Sequence, residues 1–118
     1  MKRVSLRVTI RGNGFTVRHG KVDQEDQNYC FMHGFLGKDG TLYITDSDIA
    51  PSLRGQGIGS SMVKRLKTAS GCKRVCAINV LPEAEGFWKK LKVPKGDKKK
   101  YQTEVASFRE DYITDYLG

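Results

Sequence analysis

The feature that most constrains this chain is a glycine-rich turn, Arg54-Gly55-Gln56-Gly57-Ile58-Gly59, set between a predicted strand and a predicted helix. Residues 41–45 before it are rich in β-branched and aromatic side chains, and the apolar residues after it recur at helical spacing. Glycines let a backbone approach a ligand closely, and the first N–H groups of the helix point at an anion. The turn therefore predicts a binding site for the pyrophosphate of a cofactor.

Length and composition indicate one soluble globular domain over residues 1–118. The chain is 38% hydrophobic and 29% charged, and no apolar run is long enough to span a membrane. The N-terminus alternates charged and apolar residues, unlike a signal peptide, so we expect a cytoplasmic protein without a membrane partner. Its three cysteines, Cys30, Cys72 and Cys76, lack paired metal-ligand spacing, and we expect reduced thiols and no metal site.

The charge balance favours anionic partners. The 21 Lys and Arg residues outnumber the 13 Asp and Glu residues, which gives a net charge of +8. Nucleotide phosphates, nucleic acid and an acidic protein surface all fit this excess, and so does simple solubility. Much of the excess lies within residues 89–92 and 95–100 and is therefore local.

The patterns along the chain predict hairpins first and then a strand, a helix and another strand. Alternating residues 4–10 and 15–18 predict one hairpin around Gly12-Asn13-Gly14, and residues 29–36 and 41–49 predict a second. A helix over 58–70 and a buried strand over 74–81 follow, so strands four and five should be parallel. Pro82 starts the next helix, which runs to Leu91. Residues 20–28 predict a loop or short helical turn, 95–100 a solvated loop, and 101–108 and 110–117 strands, the last also able to form a short helix.

This order excludes two common phosphate-binding motifs. A dinucleotide fingerprint would follow the first strand, and a Walker motif would continue into Gly-Lys-Ser/Thr. With Ile49-Ala50-Pro51 before it, the turn instead resembles the R/Q-x-x-G-x-G/A loop of the GNAT superfamily of acyl-CoA-dependent N-acyltransferases. Residues 84–91, Ala-Glu-Gly-Phe-Trp-Lys-Lys-Leu, resemble the family's second signature in its histone-acetyltransferase branch.

The resemblance implies an α+β fold with a mixed, mostly antiparallel twisted sheet of about six to seven strands. A central parallel pair would splay at the CoA site, with helices on both faces and reduced N-terminal helices. It implies acetyl-CoA as co-substrate, with pantetheine beside residues 47–49 and the pyrophosphate on the turn. Lys64 and Lys90 are further candidates for the 3′-phosphate, although a solvated side chain is the more common role of a single lysine. The implied cofactor-binding residues are Ser47, Asp48, Ile49, Arg54, Gly55, Gln56, Gly57, Ile58, Gly59, Ser60, Trp88 and Lys89.

Acetyl transfer needs an unprotonated amine and a proton for the leaving thiolate. Where the family often has a glutamate base this chain has Tyr43, so Asp46, Asp48 and Tyr43 are the catalytic candidates. Either aspartate could instead cap a turn or be solvated, and Tyr43 also fits the core. His33 could handle protons or be a satisfied interior histidine. Trp88 replaces the family's tyrosine acid, and indole is no acid at neutral pH.

Three functions are consistent with these features. The first is an N-acetyltransferase acting on a protein lysine or N-terminus. The resemblance implies helices between the first two strands that form part of the acceptor site, and Gly12-Asn13-Gly14 leaves no room for them, so the acceptor side should be open. The second is a non-catalytic acyl-CoA-binding module, and the third is a basic polyanion-binding protein, with nucleic acid possible but not favoured. The sequence is compatible with a monomer or a homodimer.

Overall fold

The computed structural model describes residues 4–20 and 28–117, with side chains as far as residue 108. Single 3₁₀ turns at Pro51–Leu53 and Pro82–Ala84 precede the first two helices. The predicted loop or helical turn over 20–28 lies largely outside the described residues. The strands are β1 (Arg7–Arg11), β2 (Gly14–His19), β3 (Cys30–Leu36), β4 (Thr41–Ile49) and β5 (Arg74–Ala77); the helices are α1 (Ile58–Ser70), α2 (Glu85–Lys90) and α3 (Lys98–Leu117).

The strands form one sheet in the order β1-β2-β3-β4-β5. Strands β1 to β4 are antiparallel neighbours, and β4 pairs with β5 in parallel. The parallel pair follows from the helix between the two strands, which returns the chain to the end where β4 began. The mixed, mostly antiparallel sheet is confirmed. The prediction of about six to seven strands is wrong, because the described residues form five.

The C-terminal segment is one helix, α3, rather than the strands predicted over 101–108 and 110–117. Asp97 caps it: its Oδ1 accepts hydrogen bonds from the backbone N–H groups of Lys99 at 2.9 Å and of Lys100 at 3.2 Å. The loop predicted over 95–100 therefore ends where α3 begins at Lys98.

One sheet face, here called the α1 face, carries α1 and α2 and most of the core. Helix α1 has the predicted bounds, and Met62 and Leu66 on its inner side are fully buried. Opposite them Val17 and Met32 of the sheet are also fully buried. The helix ends at Gly71, whose φ of 64° is left-handed and whose N–H bonds the carbonyl of Lys67.

The other face, here called the α3 face, is covered by α3 at one end. Phe108 lies edge-on to Phe35 with ring centroids 5.2 Å apart, and Tyr101 lies 5.6 Å from Tyr43. Helices therefore lie on both faces of the sheet, as predicted. Over β1 and β2 the same face carries exposed polar side chains, among them Thr9 and Arg18.

Strand β4 contains one extra residue relative to β3. Gly34 pairs with Ile44 but His33 pairs with Asp46, so Thr45 is a bulge. Side chains alternate faces along a strand, and the bulge shifts that alternation by one. Tyr43 and Asp46, three residues apart, therefore both lie on the α3 face.

Candidate functional site

The parallel pair of strands opens part-way along its length. Pairing of β4 with β5 ends at Ile44 and Ala77, beyond which the N–H of Ile78 makes a last hydrogen bond of 2.8 Å to the carbonyl of Ile44. The carbonyl of Ala77 is hydrogen-bonded to a different segment, because it accepts from the N–H of Gly96 at 2.8 Å. Strand β4 meanwhile continues five residues further, to Ile49. The described residues therefore place a diverging gap beside the second half of β4.

The backbone of β4 presents polar groups toward this gap. The N–H of Ala50 donates to the carbonyl of Tyr29, on the β3 side. Since backbone groups alternate along a strand, Ile49 and Ser47 direct theirs to the opposite edge. The Arg54 guanidinium confirms this for Ile49, because its Nε donates to the Ile49 carbonyl at 2.9 Å. This hydrogen bond also ties the glycine turn to the end of β4.

The turn itself has the geometry of an open helix N-terminus. Gly55 and Gly57 have φ of 75° and 76°, a region that favours glycine, and a Cβ at either would meet nothing within 4 Å. Gly57 is the N-cap of α1, with no side-chain cap and no acidic residue in the first turn. The orphan N–H groups of Gly57, Ile58, Gly59 and Ser60 therefore start a helix whose positive dipole end has no protein carboxylate on it.

The third glycine of the motif has a different physical role. A Cβ on Gly59 would lie 3.1 Å from two ring carbons of Phe87, so its absence lets α2 pack closely against α1. Ile58 and Gly59 are buried, whereas Ser60 is exposed. The missing side chain of Gly59 therefore serves helix packing, whereas Gly55 and Gly57 are the exposed glycines of the turn.

Gln56 carries an unsatisfied polar atom within the turn. Its Nε2 donates to the carbonyl of Ser52 at 3.1 Å, which fixes the side chain against the preceding 3₁₀ turn. Its Oε1 is buried and has no hydrogen-bond partner within the part of the chain that the structure describes. A buried acceptor without a partner is uncommon, and a ligand N–H or a water would satisfy it.

The second signature lies on α2 and divides by exposure. Trp88 is 8% exposed and edge-on to Phe87, with ring centroids 4.9 Å apart, so it anchors α2 in the core. Lys89 and Lys90 are exposed on the last turn of α2. Lys64 is exposed on α1, where it lines an open groove of about 540 Å³ against Val8 of β1.

The two candidate aspartates lie on the α3 face beside the gap. Asp46 is exposed, and Asp48 accepts a hydrogen bond of 3.1 Å from the Tyr29 hydroxyl. That bond, with partial burial and the Asp48 charge, raises the pKa of Tyr29. Asp48 is therefore engaged by a neighbour, whereas Asp46 presents its carboxylate to solvent.

Tyr43 is enclosed in the core at 1% exposure. Its hydroxyl donates to Oδ2 of Asp39 at 3.0 Å, and burial together with this carboxylate raises the pKa of Tyr43 to about 12. A phenol with that pKa keeps its proton at neutral pH. Asp39 also accepts hydrogen bonds from the N–H and the hydroxyl of Thr41, so its carboxylate has three donors on β4.

His33 and Cys76 differ in exposure. The Nδ1 of His33 is 2.7 Å from the Thr16 hydroxyl, and its ring lines an open groove on the α3 face. Cys76 is buried, which raises the pKa of its thiol, and a Cβ on Gly96 would collide with its sulfur. Within the described ranges no group of three or more His, Cys, Asp or Glu residues could hold a metal ion.

Two features of this region went unpredicted. The bulge at Thr45, which sets the face of Asp46, depends on strand register. The group of donors around the Asp39 carboxylate depends on the fold, which brings Thr41 and Tyr43 of β4 together with Lys100 of α3. The alternation of Arg7, Thr9 and Arg11 in the sequence predicts that these three polar side chains share one face of the sheet. It does not predict that this face stays uncovered by a helix. None of the described helices is both long and apolar enough to cross a bilayer.

Comparison with known proteins finds a likeness in structure but no match in sequence. No protein-family model matches the chain, and no curated protein sequence matches it. A solved structure of a nourseothricin acetyltransferase is similar over 75% of this chain and 67% of that one, with 21% sequence identity and a TM-score of 0.43.

Proposed function

We propose that this chain is an N-acetyltransferase that moves an acetyl group from acetyl-CoA directly to a primary amine of a protein, a lysine or the N-terminus. The observation that supports this most is the adjacency of the strand gap and the open turn. Strand β4 leaves its partner at Ile44, runs on to Ile49 and leads into a glycine turn that starts α1. An unpaired strand edge beside a helix N-terminus suits a ligand that carries both amides and a pyrophosphate, as CoA does.

The residues divide between the two parts of the ligand. The backbone groups of Ser47 and the N–H of Ile49 would pair with the amides of pantetheine, since the Ile49 carbonyl is already bonded to Arg54. The orphan N–H groups of residues 57–60 would hold the pyrophosphate, and the unpartnered Oε1 of Gln56 would accept from the ligand or a bound water. Trp88 would support this site from the core, and the exposed Lys89 would contribute charge.

The reaction forms a C–N bond and breaks a C–S bond. The neutral amine attacks the thioester carbonyl, the C–S bond breaks, the amine loses one proton to a base, and the thiolate takes one proton to become the CoA thiol. Asp46 is the base that we favour, because it is exposed beside the gap, whereas Asp48 is held by Tyr29. Tyr43 has no role as a base here, since its proton is bonded to Asp39. Because Trp88 cannot donate a proton, the thiolate takes its proton from water.

The test follows both products of the transfer. The full chain is incubated with acetyl-CoA and a mixture of lysine-containing proteins; thiol release and acetylated lysines or N-termini, found by mass spectrometry, should appear in equal amounts. The expected effect of Asp46→Asn is a kcat about 100-fold lower near neutral pH, because a positioned base contributes about that much, with acetyl-CoA affinity unchanged. Asp48→Asn is the matched control and should reduce kcat less.

Two results would change the assignment. An unchanged rate for Asp46→Asn would mean that solvent deprotonates the amine. Tight acetyl-CoA binding without acetylation of any protein would identify the non-catalytic acyl-CoA-binding module instead.

A further inference from the structure

The uncovered part of the α3 face is strongly basic. Arg7 and Arg11 of β1 and Arg18 of β2 are exposed, and among the described residues none of the three forms an ion pair. Arg7 and Arg18 are direct cross-strand partners, so their Cβ atoms are about 5 Å apart and two positive side chains leave the same face as neighbours. Such a pair is unfavourable in isolation, and a bound anion would relieve the repulsion.

Arg11 and Arg18 line an open groove of about 610 Å³, here called the arginine groove, and Arg7 is the cross-strand partner of Arg18. The groove is also lined by Thr9, Thr16, His33 and Phe35. Cross-strand pairing continues from Thr16 through His33 to Asp46, one residue from each successive strand. The groove therefore lies in line with the carboxylate that we assign as the base.

The two ends of the α3 face carry opposite charge. The β1 and β2 end carries the three arginines, and the β4 end carries Asp46 and Asp48. An extended polypeptide with acidic residues at one point and a lysine further along would match both ends. A continuous polyanion would meet the two aspartates with like charge.

Building on the proposed function, we propose that the acceptor protein lies across the α3 face with acidic residues in the arginine groove and its lysine at Asp46. From β1 to β4 there are three strand spacings of about 4.8 Å, or about 14 Å in all. An extended chain advances about 3.3 Å per residue, so the acidic residues stand about four positions from the lysine that is acetylated. Carboxylates also suit the planar, bidentate fork of arginine.

The aromatic content of the groove favours a peptide over single-stranded nucleic acid. Binding of unpaired bases relies on aromatic side chains with a free ring face or edge on which bases stack. Two aromatic rings line the groove. The ring of Phe35 is already in edge contact with Tyr101 at 6.2 Å and Phe108 at 5.2 Å, and the ring of His33 is held through Nδ1 by the Thr16 hydroxyl at 2.7 Å.

The test measures peptide binding without acetyl-CoA, by fluorescence anisotropy. The probe is a labelled peptide, blocked at both ends, with one lysine and two glutamates placed about four residues away; in its control both glutamates are glutamine. The acidic peptide should bind about 10-fold tighter, and Arg18→Gln should remove about 3- to 10-fold of that preference. Arg65→Gln, an exposed arginine on α1 across the sheet, is the matched control and should change nothing.

A folding artefact is separated by thermal unfolding. Arg18→Gln removes the repulsion with Arg7, so its midpoint should not fall below that of the parent chain. Equal binding of the two peptides, or an equal loss with Arg65→Gln, would overturn the proposal. Tighter binding of a single-stranded oligonucleotide than of the acidic peptide, lost in Arg18→Gln, would also overturn it and assign the groove to nucleic acid.

Acetylation assays on the same two peptides keep this proposal distinct from the proposed function. Equal acetylation of both peptides, without any binding preference, would leave the transferase standing and reject the docking surface. A binding preference with no acetylation of either peptide would support the docking surface and reject the transferase.

Discussion

The two glycines that bound α1 allow a sharp test of the anion site. Gly57 begins the helix and Gly71 ends it, their φ angles are 76° and 64°, and a Cβ at either would meet nothing within 4 Å. Replacing either one with aspartate therefore introduces the same side chain at the same backbone strain, about 1 kcal/mol for a non-glycine residue in the left-handed region. The two variants differ in which end of the helix receives the charge.

The helix dipole makes opposite contributions to the stability of the two variants. A carboxylate at the N-terminus gains about 0.5 kcal/mol, and one at the C-terminus loses a similar amount. Gly57→Asp should therefore lower the free energy of unfolding by about 0.5 kcal/mol and Gly71→Asp by about 1.5 kcal/mol.

Ligand binding should follow the reverse order. A carboxylate about 5 Å from a pyrophosphate charge costs about 3 kcal/mol at an effective dielectric constant of 20, which corresponds to an affinity about 100-fold lower. Urea denaturation measures stability, and calorimetric titration with acetyl-CoA measures affinity. The more stable variant, Gly57→Asp, should lose the ligand, and Gly71→Asp should keep it. Equal acetyl-CoA affinities in the two variants would refute the assignment of the turn as the pyrophosphate site.

Two further predictions concern stability. Burial opposes the ionisation of Asp39, but hydrogen bonds from Thr41, Tyr43 and Lys100 outweigh it and lower its pKa. Since the pKa is lower in the folded state than in the unfolded state, ionised Asp39 stabilises the fold above about pH 4, and this is lost as the pH falls through the folded pKa. Asp39→Asn should therefore lower the free energy of unfolding by about 2 kcal/mol at pH 7. The variant should also lose less stability than the parent chain when the pH is lowered below about 4, as measured by denaturation at each pH. An equal loss in the two chains would contradict the role of Asp39. Gly96→Ala should cost about 2 kcal/mol, because its Cβ would lie against the Cys76 sulfur and 2.7 Å from a carbon of Ile78; denaturation midpoints should show no such loss for Gly86→Ala, where the space is open.

The sequence predicted α1 to the residue because three independent signals agree there. The apolar positions keep helical spacing, Gly57 opens the helix and Gly71 closes it. The strand predicted over 74–81 instead ends at Ala77, and Asn79 beyond it has a φ of 58°, a left-handed conformation that interrupts an extended strand. Asparagine adopts this conformation more readily than other residues with a side chain, but an asparagine within an apolar run does not by itself mark the end of a strand.

The C-terminal error has a similar origin. In residues 101–108 a period of two and a helical period are both satisfied, and the contacts of Tyr101 and Phe108 with the sheet select the helix. Asp97 was the available signal, since an aspartate just before a polar run is a common N-cap. The glycine turn of the candidate site was visible in the sequence because its chemistry is local. The arginine groove was not, because it is assembled from three strands whose register only the folded sheet defines.

The extra residue at Thr45 makes the effect of a length change depend on where in β4 it falls. If a related chain lacked Thr45, β4 would pair with β3 without a bulge, and Asp46, then directly after Ile44, would stay on the α3 face. If a related chain instead lacked Ser47, beyond the bulge, Asp48 would turn toward the apolar interior beneath α1. The length of β4 after the bulge should therefore be under stricter selection than its length at the bulge.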